Sequence, residues 1–540
     1  PRPPRLERRW RSSDQRPCSR EVPRRAARGA LAAMASEGEG GDHSHLFVFT
    51  GVSANKAGMA ADKRMVADFV YERSKKSSYS QHQIDLDFKQ QARTEALAQE
   101  LRAQEEVMTQ GERALRDRQA AVALGALEKR RNLARTYCVV DMDMFYAAVA
   151  IRERPELADK PVAIGGMGMI SAANYVARQY GVRSAMPGFI AAEMVRCPHL
   201  VGSKMPPDEL LFIPTDFDKY KEVAEVTRSV YREYDPDFTS WSLDEAKLDL
   251  TGCLEARGGP DAAEEVVREM RQRVKELTGG LTCSAGIGPN PMLAKIASED
   301  NKPDGQARVP PTREAVLAYV EDLPVRRVPF VGKVLERKLK VLLGVVTCGE
   351  LRAAVPRVLR TFEGKKTCDF LQRICLGISG EEAGEDDDGP EVGDVGRKSL
   401  STERTFRDES SSEELRGRLR ELCRSVAEDM ASAVPPLACK TVGLKTKATT
   451  FEVRTKQVHS PRFVGFAAPA RGSAAAAATS SAASSSAAPV GFFGGGDFSA
   501  GQDGGRRPGA VSDEEVSRVA AELCAAALPL LEEQFPCTLR

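Results

Sequence analysis

Two short acidic motifs contain the residues of this chain best suited to metal chemistry. Residues 139–146 are Val-Val-Asp-Met-Asp-Met-Phe-Tyr, and residues 242–246 are Ser-Leu-Asp-Glu-Ala. In each motif the carboxylates stand where an apolar run stops, which predicts that they lie at the end of a strand. Two neighbouring strands would bring Asp141, Asp244 and Glu245 together. Such a cluster needs cations to balance its charge in a partly buried site.

The chemistry of these ligands favours hard divalent cations. Carboxylate oxygens predict Mg²⁺ or Mn²⁺ rather than zinc. Two such ions a few ångströms apart make a phosphoryl-transfer centre of the kind found in polymerases and nucleases. The acids alone do not separate a polymerase from a nuclease or a cyclase, and solvated loop carboxylates are the simpler alternative.

The elements that must position these acids follow from the hydrophobic pattern. Residues 136–305 alternate short apolar strands with helical stretches, which is an α/β or α+β pattern. A short amphipathic helix is predicted at 61–76. A long charged helical pattern at 84–135 predicts either a coiled coil or solvated helix, or a helix that lies on another domain or on a ligand. Strands are predicted at 137–141, 161–164, 247–250 and 281–287.

Composition limits the remaining possibilities. A chain of 540 residues is too long for one core, and three or more domains are expected. The net charge of +1 does not indicate or exclude nucleic acid. The 12 Cys are scattered and only 5 His are present, which argues against a zinc site and against a secreted disulfide framework. No apolar run approaches the roughly 20 residues that a membrane-spanning helix needs.

The second half of the chain contains a smaller α/β unit. Short helices are expected at 311–380, and strands at 440–447 and 450–456 alternate apolar and basic residues, as half-buried strands do. One face of these strands would pack and the other would meet phosphates, although solvated lysine-rich strand faces are common. Ser512 begins a capping box that predicts a final helix.

Seven ordered motifs resemble the Y-family (DinB-type) translesion DNA polymerases. Besides the two acidic motifs, they include Asn-Tyr-Val-Ala-Arg at 174–178, Gly-Val-Arg-Ser-Ala-Met-Pro at 181–187 and Ser-Ala-Gly-Ile-Gly-Pro-Asn at 284–290. The others are Asn-Lys-Pro-Asp-Gly-Gln at 301–306 and the segment 397–406. Residues 55–59, Asn-Lys-Ala-Gly-Met, resemble the N-terminal clasp of the kappa branch of that family.

The resemblance implies an α+β multidomain fold with the right-hand architecture of polymerases. The implied divisions are a disordered leader at 1–45, an N-terminal helical clasp at 46–134, a palm at 135–143 and 205–310, fingers at 144–204, a helical thumb with a helix-hairpin-helix at 311–380, an acidic linker at 381–396, and a little finger at 397–540 with a disordered insertion at 467–509. We expect the last strand of the little finger to be missing, because the sequence stops where that strand should begin.

The resemblance also implies roles at the site. Asp141, Asp244, Glu245 and the carbonyl of Met142 would hold two Mg²⁺ ions, with Mn²⁺ as a substitute, whereas Asp143 would not be a direct ligand. The implied nucleotide contacts are Phe145, Tyr146, Tyr175, Arg178 and Lys302. Tyr146 matches the family's steric gate, whose ring packs where a ribose 2′-hydroxyl would fall; the alternative is an ordinary core aromatic. The implied activity is low-fidelity DNA synthesis past lesions without proofreading, and the alternative is a catalytically weak DNA-binding scaffold.

The implied DNA contacts are spread over the thumb and the little finger. They are Val331, Gly332, Lys333, Lys398, Arg404, Lys445 and Lys447. The chain departs from the family pattern at Ala172, Lys247 and Phe330. Phe330 replaces the first glycine of the hairpin turn, and we expect it to resist the positive φ that such a turn needs.

The resemblance also suggests partners and a location. Primer–template DNA and deoxynucleoside triphosphates are the implied substrates of a monomeric nuclear enzyme. A sliding clamp and other translesion factors are further suggested partners, although no clamp-binding tail is recognised in the sequence.

Overall fold

The structure is a computed structural model that describes residues 61–240, 242–364, 366–380, 399–432, 436–466, 511–535 and 538–539. All of these residues belong to one compact unit, 44–540. The predictions for 1–45, for the motif at 55–59, for the linker at 381–396, for Lys398 and for the insertion at 467–509 lie outside the described residues.

A four-stranded sheet, ordered β5-β1-β6-β7, forms the centre of the fold. Its strands are β1 (Tyr137–Met142), β5 (Glu245–Asp249), β6 (Cys283–Gly288) and β7 (Gln306–Arg308). Strand β1 runs antiparallel to both of its neighbours, and every residue of β1 is buried, which explains its uninterrupted apolar run. The strands predicted at 137–141, 247–250 and 281–287 are confirmed with small shifts of their ends.

Two amphipathic helices cover one face of this sheet. They are α7 (Phe217–Tyr231) and α9 (Ala263–Leu277), whose buried residues recur every three or four positions. Their side chains join those of Val140, Leu248 and Ile287 in one core. Helix α10 (Pro291–Ala297) packs against β1 and β6. The strands that carry the two acidic motifs are therefore packed against helices.

A second, three-stranded sheet lies next to a group of short helices. It is ordered β3-β2-β4 and consists of β2 (Val162–Gly165), β3 (Ile170–Ala173) and β4 (Leu211–Ile213). The helices are α1 (Lys63–Ser74), α4 (Phe145–Glu153), α5 (Tyr175–Gln179) and α6 (Gly188–Arg196). Helix α8 (Thr251–Glu255) instead follows β5, and its Leu254 joins the core of the central sheet. The strand predicted at 161–164 and the helix predicted at 61–76 are confirmed.

The long charged segment forms two helices rather than one continuous pattern. Helix α2 (Ser78–Glu106) ends before a short break, and α3 (Gln110–Glu128) begins at a capping box formed by Thr109 and Glu112. The prediction of one pattern over 84–135 is wrong at this break, because a cap that satisfies free backbone N–H groups favours a new helix start.

Helix α2 lies on another part of the protein. Its buried Asp87 forms an ion pair with Arg337, and Arg360 donates a hydrogen bond to the carbonyl of Leu101. Of the alternatives for this segment, the structure therefore agrees with a helix that packs against another part of the chain rather than with a fully solvated helix.

Short helices form the region after β7, as the sequence predicts. They are α11 (Arg313–Glu321), α12 (Lys333–Lys338), which continues into a π-helical turn (Leu339–Leu343), α13 (Cys348–Ala353), α14 (Val355–Thr361) and α15 (Lys366–Ile374). They share a single hydrophobic core to which Ala120 and Leu127 of α3 contribute.

The hairpin turn before α12 contains Phe330 in a left-handed conformation. Its φ is +69°, and its side chain is 94% exposed. The turn nevertheless forms with phenylalanine at this φ, so the doubt that the sequence raised about the turn is wrong. A non-glycine residue pays about 1 kcal/mol for this conformation, a strain that the surrounding packing must offset.

We predict that Phe330→Gly raises the midpoint of thermal unfolding. Glycine adopts positive φ without strain, and the exposed ring gives up little packing. The expected gain is about 1 kcal/mol. The matched control is Phe451→Gly, because Phe451 also has a positive φ (+66°) but its ring contacts Tyr79 and His82. A rise in both variants, or in neither, would contradict this account.

The C-terminal unit pairs two long helices with a hairpin. It contains α16 (Ser412–Ser432), β8 (Ala438–Lys447), β9 (Val453–Gly465) and α17 (Asp513–Glu532). Strand β9 is longer than the predicted 450–456, since the extended pairing with β8 continues to Gly465. Leu539 forms isolated β-bridges to Glu409 and to Ala448. The last strand was expected to be missing, but this residue makes β-type pairing in its place.

Within the described part of the chain, no helix has both the length and the apolar character to cross a bilayer.

Candidate active site

The sheet register brings the two acidic motifs together. Asp141 is the Cα partner of Glu245 across the β1–β5 pair. Asp244 directly precedes β5, and its carbonyl accepts a hydrogen bond of 2.8 Å from the backbone N–H of Met142. The carboxylate of Asp244 accepts a hydrogen bond of 2.7 Å from the hydroxyl of Ser242. Two antiparallel strands thus present carboxylates at one end of the sheet, as the sequence predicts.

Two lysines hold the carboxylates of this site. Lys295 Nζ lies 3.0 Å from Asp141 Oδ2 and 2.5 Å from Glu245 Oε2. Lys302 Nζ lies 2.6 Å from Asp141 Oδ1 and 3.0 Å from Glu299 Oε1. Lys302 was expected to contact a triphosphate, whereas no role was predicted for Lys295 or Glu299.

Burial and neighbouring charges shift the pKa values of the site residues in opposite directions. Burial raises the pKa of Glu245, and the charges of Asp141 and Asp244 add to this rise although Lys295 opposes it. Burial lowers the pKa of the Lys295 ammonium, but the neighbouring carboxylates outweigh it and the pKa lies above its ordinary value. The same balance raises the pKa of Lys302. Both ammonium groups therefore stay charged and act as counter-ions.

The donor set fits hard divalent cations. In the described part of the chain, no group of three His, Cys, Asp or Glu side chains converges closely enough to hold a metal ion as the side chains stand. The ammonium of Lys295 nevertheless bridges the carboxylates of Asp141 and Glu245. Carboxylate oxygens are the ligands that Mg²⁺ and Mn²⁺ prefer. We therefore consider the residues compatible with the metal that the sequence predicts.

Asp143 has a different environment from the other acids. It is almost fully buried and accepts hydrogen bonds of 2.8 Å from the hydroxyls of Thr282 and Ser284 and from the backbone N–H of Asp304. The hydroxyl of Tyr175 donates a further, longer bond of 3.3 Å. Because both carboxylate oxygens of Asp143 already accept hydrogen bonds, the residue suits a structural role. This agrees with the expectation that Asp143 is not a direct metal ligand.

A cavity of about 370 Å³ opens beside the acidic motifs. It contacts every residue that the sequence assigns to nucleotide binding, together with Met142, Asp244 and Ala172. The predicted residues that line it are Phe145, Tyr146, Tyr175, Arg178 and Lys302. The structure therefore places the predicted nucleotide contacts around one space that adjoins the carboxylates.

The ring of Tyr146 is fixed by other aromatic rings at the edge of this cavity. It stacks on Tyr220 with centroids 4.1 Å apart and an interplanar angle of 12°, and it meets the edge of Phe217 at 5.9 Å. Burial raises the pKa of Tyr146 to about 12, so the ring stays neutral. Phe145, in contrast, is only 3% exposed and packs in the core, which leaves little of its side chain for a ligand.

Two arginines line the cavity, and the sequence analysis gave a role only to Arg178. The Arg178 guanidinium lies 4.7 Å from the centroid of the Tyr175 ring. The second arginine is Arg183. Arg183 is nearly buried, and its Nη2 finds no hydrogen-bond partner among the described residues. Burial lowers the pKa of Arg183 to about 10, and the charge of Arg178 contributes. Its motif at 181–187 was the only available signal.

The predicted DNA contacts do not form one cluster. Val331 is buried, Gly332 precedes α12, and Lys333 is exposed at the first turn of that helix. In the C-terminal unit Arg404 is exposed, Lys445 pairs with Glu403 at 2.7 Å, and the ammonium of Lys447 lies 5.9 Å from the Phe451 ring. The backbone N–H of Val331 donates a hydrogen bond of 3.2 Å to the carbonyl of Val328. The DNA contacts assigned to these residues stay predictions.

The departures from the family pattern leave the site intact. Ala172 lies on β3 at the cavity wall, and Lys247 lies within β5 opposite Val139. Neither residue displaces a carboxylate or closes the cavity. We find no structural defect at either position.

Comparisons with known proteins agree on one family. The chain matches the family models for the impB/mucB/samB family at residues 140–299 and for its C-terminal domain at residues 397–476. DNA polymerase kappa of Arabidopsis thaliana is 38% identical over 434 residues, which cover 78% of this chain and 58% of the relative. DNA polymerase kappa of Caenorhabditis elegans is 33% identical, and the match covers 75% of this chain and 72% of the relative.

A solved structure supports the fold. A Y-family DNA polymerase chimera of Dbh and Dpo4 superimposes with a TM-score of 0.50 at 17% identity, covering 75% of this chain and 96% of that chain. This likeness confirms the predicted α+β polymerase fold. The chain spans between about half and three-fifths of the length of its plant and mammalian relatives. The chain belongs to the Y family of DNA polymerases and is close to DNA polymerase kappa.

Proposed function

We propose that this chain is a template-directed DNA polymerase of the translesion type. It would add deoxynucleotides to a primer 3′ end opposite damaged template, with low fidelity and without proofreading. The observation that carries the proposal is the cavity that Tyr146, Tyr175 and Arg178 line together with Asp141 and Asp244. Glu245 lies opposite Asp141 in the β1–β5 pair. Family membership supports the same activity.

Each part of this arrangement suits one requirement of nucleotide transfer. Asp141, Asp244, Glu245 and the Met142 carbonyl would hold two Mg²⁺ ions, or Mn²⁺ in their place. When bound, the ions would lower the pKa of the attacking hydroxyl and stabilise charge on the leaving pyrophosphate.

The other side chains would bind and select the nucleotide. Arg178 suits the triphosphate because a guanidinium matches phosphate oxygens in pairs, and Lys302 supplies a compact charge. Tyr146 would exclude a ribose 2′-hydroxyl through the bulk of its ring, which Tyr220 and Phe217 hold in place. Catalysis would then depend mainly on positioning and charge, as in other phosphoryl transfers.

Primer extension tests the proposal. The full chain is incubated with Mg²⁺ or Mn²⁺, four deoxynucleotides and a primer–template that is either undamaged or carries a bulky minor-groove adduct. We expect extension on both templates, with products that follow the template sequence. DNA binding without extension under either metal would instead support the catalytically weak scaffold.

We expect the affinity for primer–template to fall steeply with salt and to depend little on sequence. Exposed basic residues such as Lys333 and Arg404 would contact phosphates, and such contacts release counter-ions. For six to ten phosphate contacts, the loss between 50 and 200 mM salt would be about 10³-fold or more. Fluorescence anisotropy with two unrelated sequences measures this. A strong preference for one sequence would contradict recognition through the backbone.

The relatives also support the cellular setting. We propose a nuclear enzyme, because the kappa relatives of the chain come from eukaryotes. Fluorescent tagging of the full chain in a eukaryotic cell would test this location, and exclusion of the tagged protein from nuclei would contradict it. Binding to a sliding clamp or to other translesion factors stays a prediction from the resemblance.

A further inference from the structure

Lys302 is held between two carboxylates that differ in what surrounds them. Its ammonium contacts Asp141 Oδ1 at 2.6 Å and Glu299 Oε1 at 3.0 Å. The side chains of Lys302 and Glu299 are only 4% and 6% exposed. Lys302 thus occupies an oxygen of the same carboxylate that the proposed metal site requires. A divalent cation bound at Asp141 would therefore compete with this ammonium.

Glu299 has an acceptor that the fold leaves unused. Its Oε2 atom is buried and accepts no hydrogen bond from any residue that the structure describes. Buried polar atoms are almost always satisfied, because leaving one without a partner costs about 1–3 kcal/mol. Because this unpaired oxygen belongs to the carboxylate that already contacts the Lys302 ammonium, it can accept a second hydrogen bond from that group.

The second lysine of the site forms its ion pairs differently, although the charge of Glu299 also acts on it at longer range. Lys295 bridges Asp141 and Glu245, and both of these residues belong to the proposed metal-binding set. Of these two lysines, Lys302 forms a direct ion pair with a described carboxylate outside that set, and it also lines the cavity where a triphosphate would lie. The two lysines therefore differ in whether they can leave Asp141 and remain paired.

We infer that Glu299 is a positioning residue that retains Lys302 when a divalent cation displaces its ammonium from Asp141. The exchange rests on the proposed function, since it presupposes that Asp141 binds metal. Glu299 would keep the buried ammonium paired through both of its oxygens, which avoids the large cost of an uncompensated buried charge. The Lys302 ammonium would then stay paired with Glu299 rather than remain on the metal ligand Asp141.

Binding of Mn²⁺ to the full chain, measured by electron paramagnetic resonance without nucleotide or DNA, tests the exchange. In Glu299→Gln the amide cannot neutralise Lys302, which stays on Asp141, and Mn²⁺ affinity should fall by about tenfold, a usual loss when a residue that supports a metal ligand is changed. In Lys302→Met the competing ammonium is gone, and affinity should rise. Lys221→Ala, an exposed lysine on α7, is the matched control and should bind as the unmodified chain does.

The double variant separates the exchange from a general effect of charge. In Lys302→Met the further change Glu299→Gln should alter Mn²⁺ affinity by less than about threefold, because no ammonium remains to be retained. A tenfold loss that persists in this background, or no loss in Glu299→Gln alone, would overturn the inference. An unmodified chain that binds no Mn²⁺ and extends no primer would overturn the proposed function instead.

A conservative variant covers the case in which Lys302→Met does not fold, as judged by circular dichroism. Glu299→Asp keeps the negative charge on a shorter side chain and should retain most of the Mn²⁺ affinity that Glu299→Gln loses. Equal losses in the Asp and Gln variants would show that residue 299 acts through packing alone, which would overturn the exchange.

Discussion

Glu245→Gln is expected to lower the rate of primer extension by on the order of a thousandfold while the protein remains folded. Removing one carboxylate charge from the proposed metal site withdraws several kcal/mol of transition-state stabilisation, and each 1.4 kcal/mol corresponds to about tenfold in rate. The fold should survive, because glutamine preserves the volume of the side chain and Lys295 keeps its contact with Asp141.

Single-turnover extension on one undamaged primer–template measures this effect. Glu225→Gln is the matched control, since Glu225 is an exposed acid on α7 that pairs with Arg232 at 2.8 Å. The control should extend primers at the normal rate. Extension by Glu245→Gln within about tenfold of the unmodified chain would remove Glu245 from the metal-binding set.

The sequence could predict that Asp141 and Glu245 lie close together, because the hydrophobic pattern around each acid predicts a strand. Each acid adjoins an apolar run, and two such runs become adjacent strands when one sheet must bury both. The register that sets Asp141 opposite Glu245 then follows from burying the apolar side chains of β1 and β5. Tyr146 follows because it lies on the first turn of the helix that leaves β1.

The lysine counter-ions were not predictable in the same way. Lys295 lies on α10, and its contact with Asp141 depends on how that helix packs against the sheet. Glu299 follows α10, and its pairing with Lys302 depends on the turn between them. A sequence shows the charge of such residues, but it does not show which buried partner each of them meets.

Two local errors have distinct physical causes. The break after α2 was missed because sparse apolar residues continue across it, although Thr109 and Glu112 have the spacing of a capping box. The turn at Phe330 was misjudged because intrinsic preference was given too much weight. Packing of Val328 and Val331 on either side of this residue overrides its preference for negative φ.

Tyr146→Ala is expected to admit ribonucleotides. In the folded protein the Tyr146 ring is fixed by Tyr220 and Phe217, so it cannot easily yield to an added 2′-hydroxyl. Removing the ring removes the obstacle, and the preference for deoxynucleotides should fall by about a hundredfold or more, which corresponds to roughly 2.7 kcal/mol. The measurement is the ratio of kcat/KM for a deoxynucleotide and its ribonucleotide on one template.

This ratio separates sugar selection from loss of stability. Truncating a partly buried tyrosine also costs stability, by about 2–4 kcal/mol, but a smaller folded fraction lowers both kcat/KM values equally and leaves their ratio unchanged. Tyr146→Phe is the matched control, because it keeps the stacked ring and should keep the sugar preference. An unchanged ratio in Tyr146→Ala would mean that the ring serves only to complete the aromatic cluster, and a lost preference in Tyr146→Phe would assign selection to the hydroxyl rather than to the bulk of the ring.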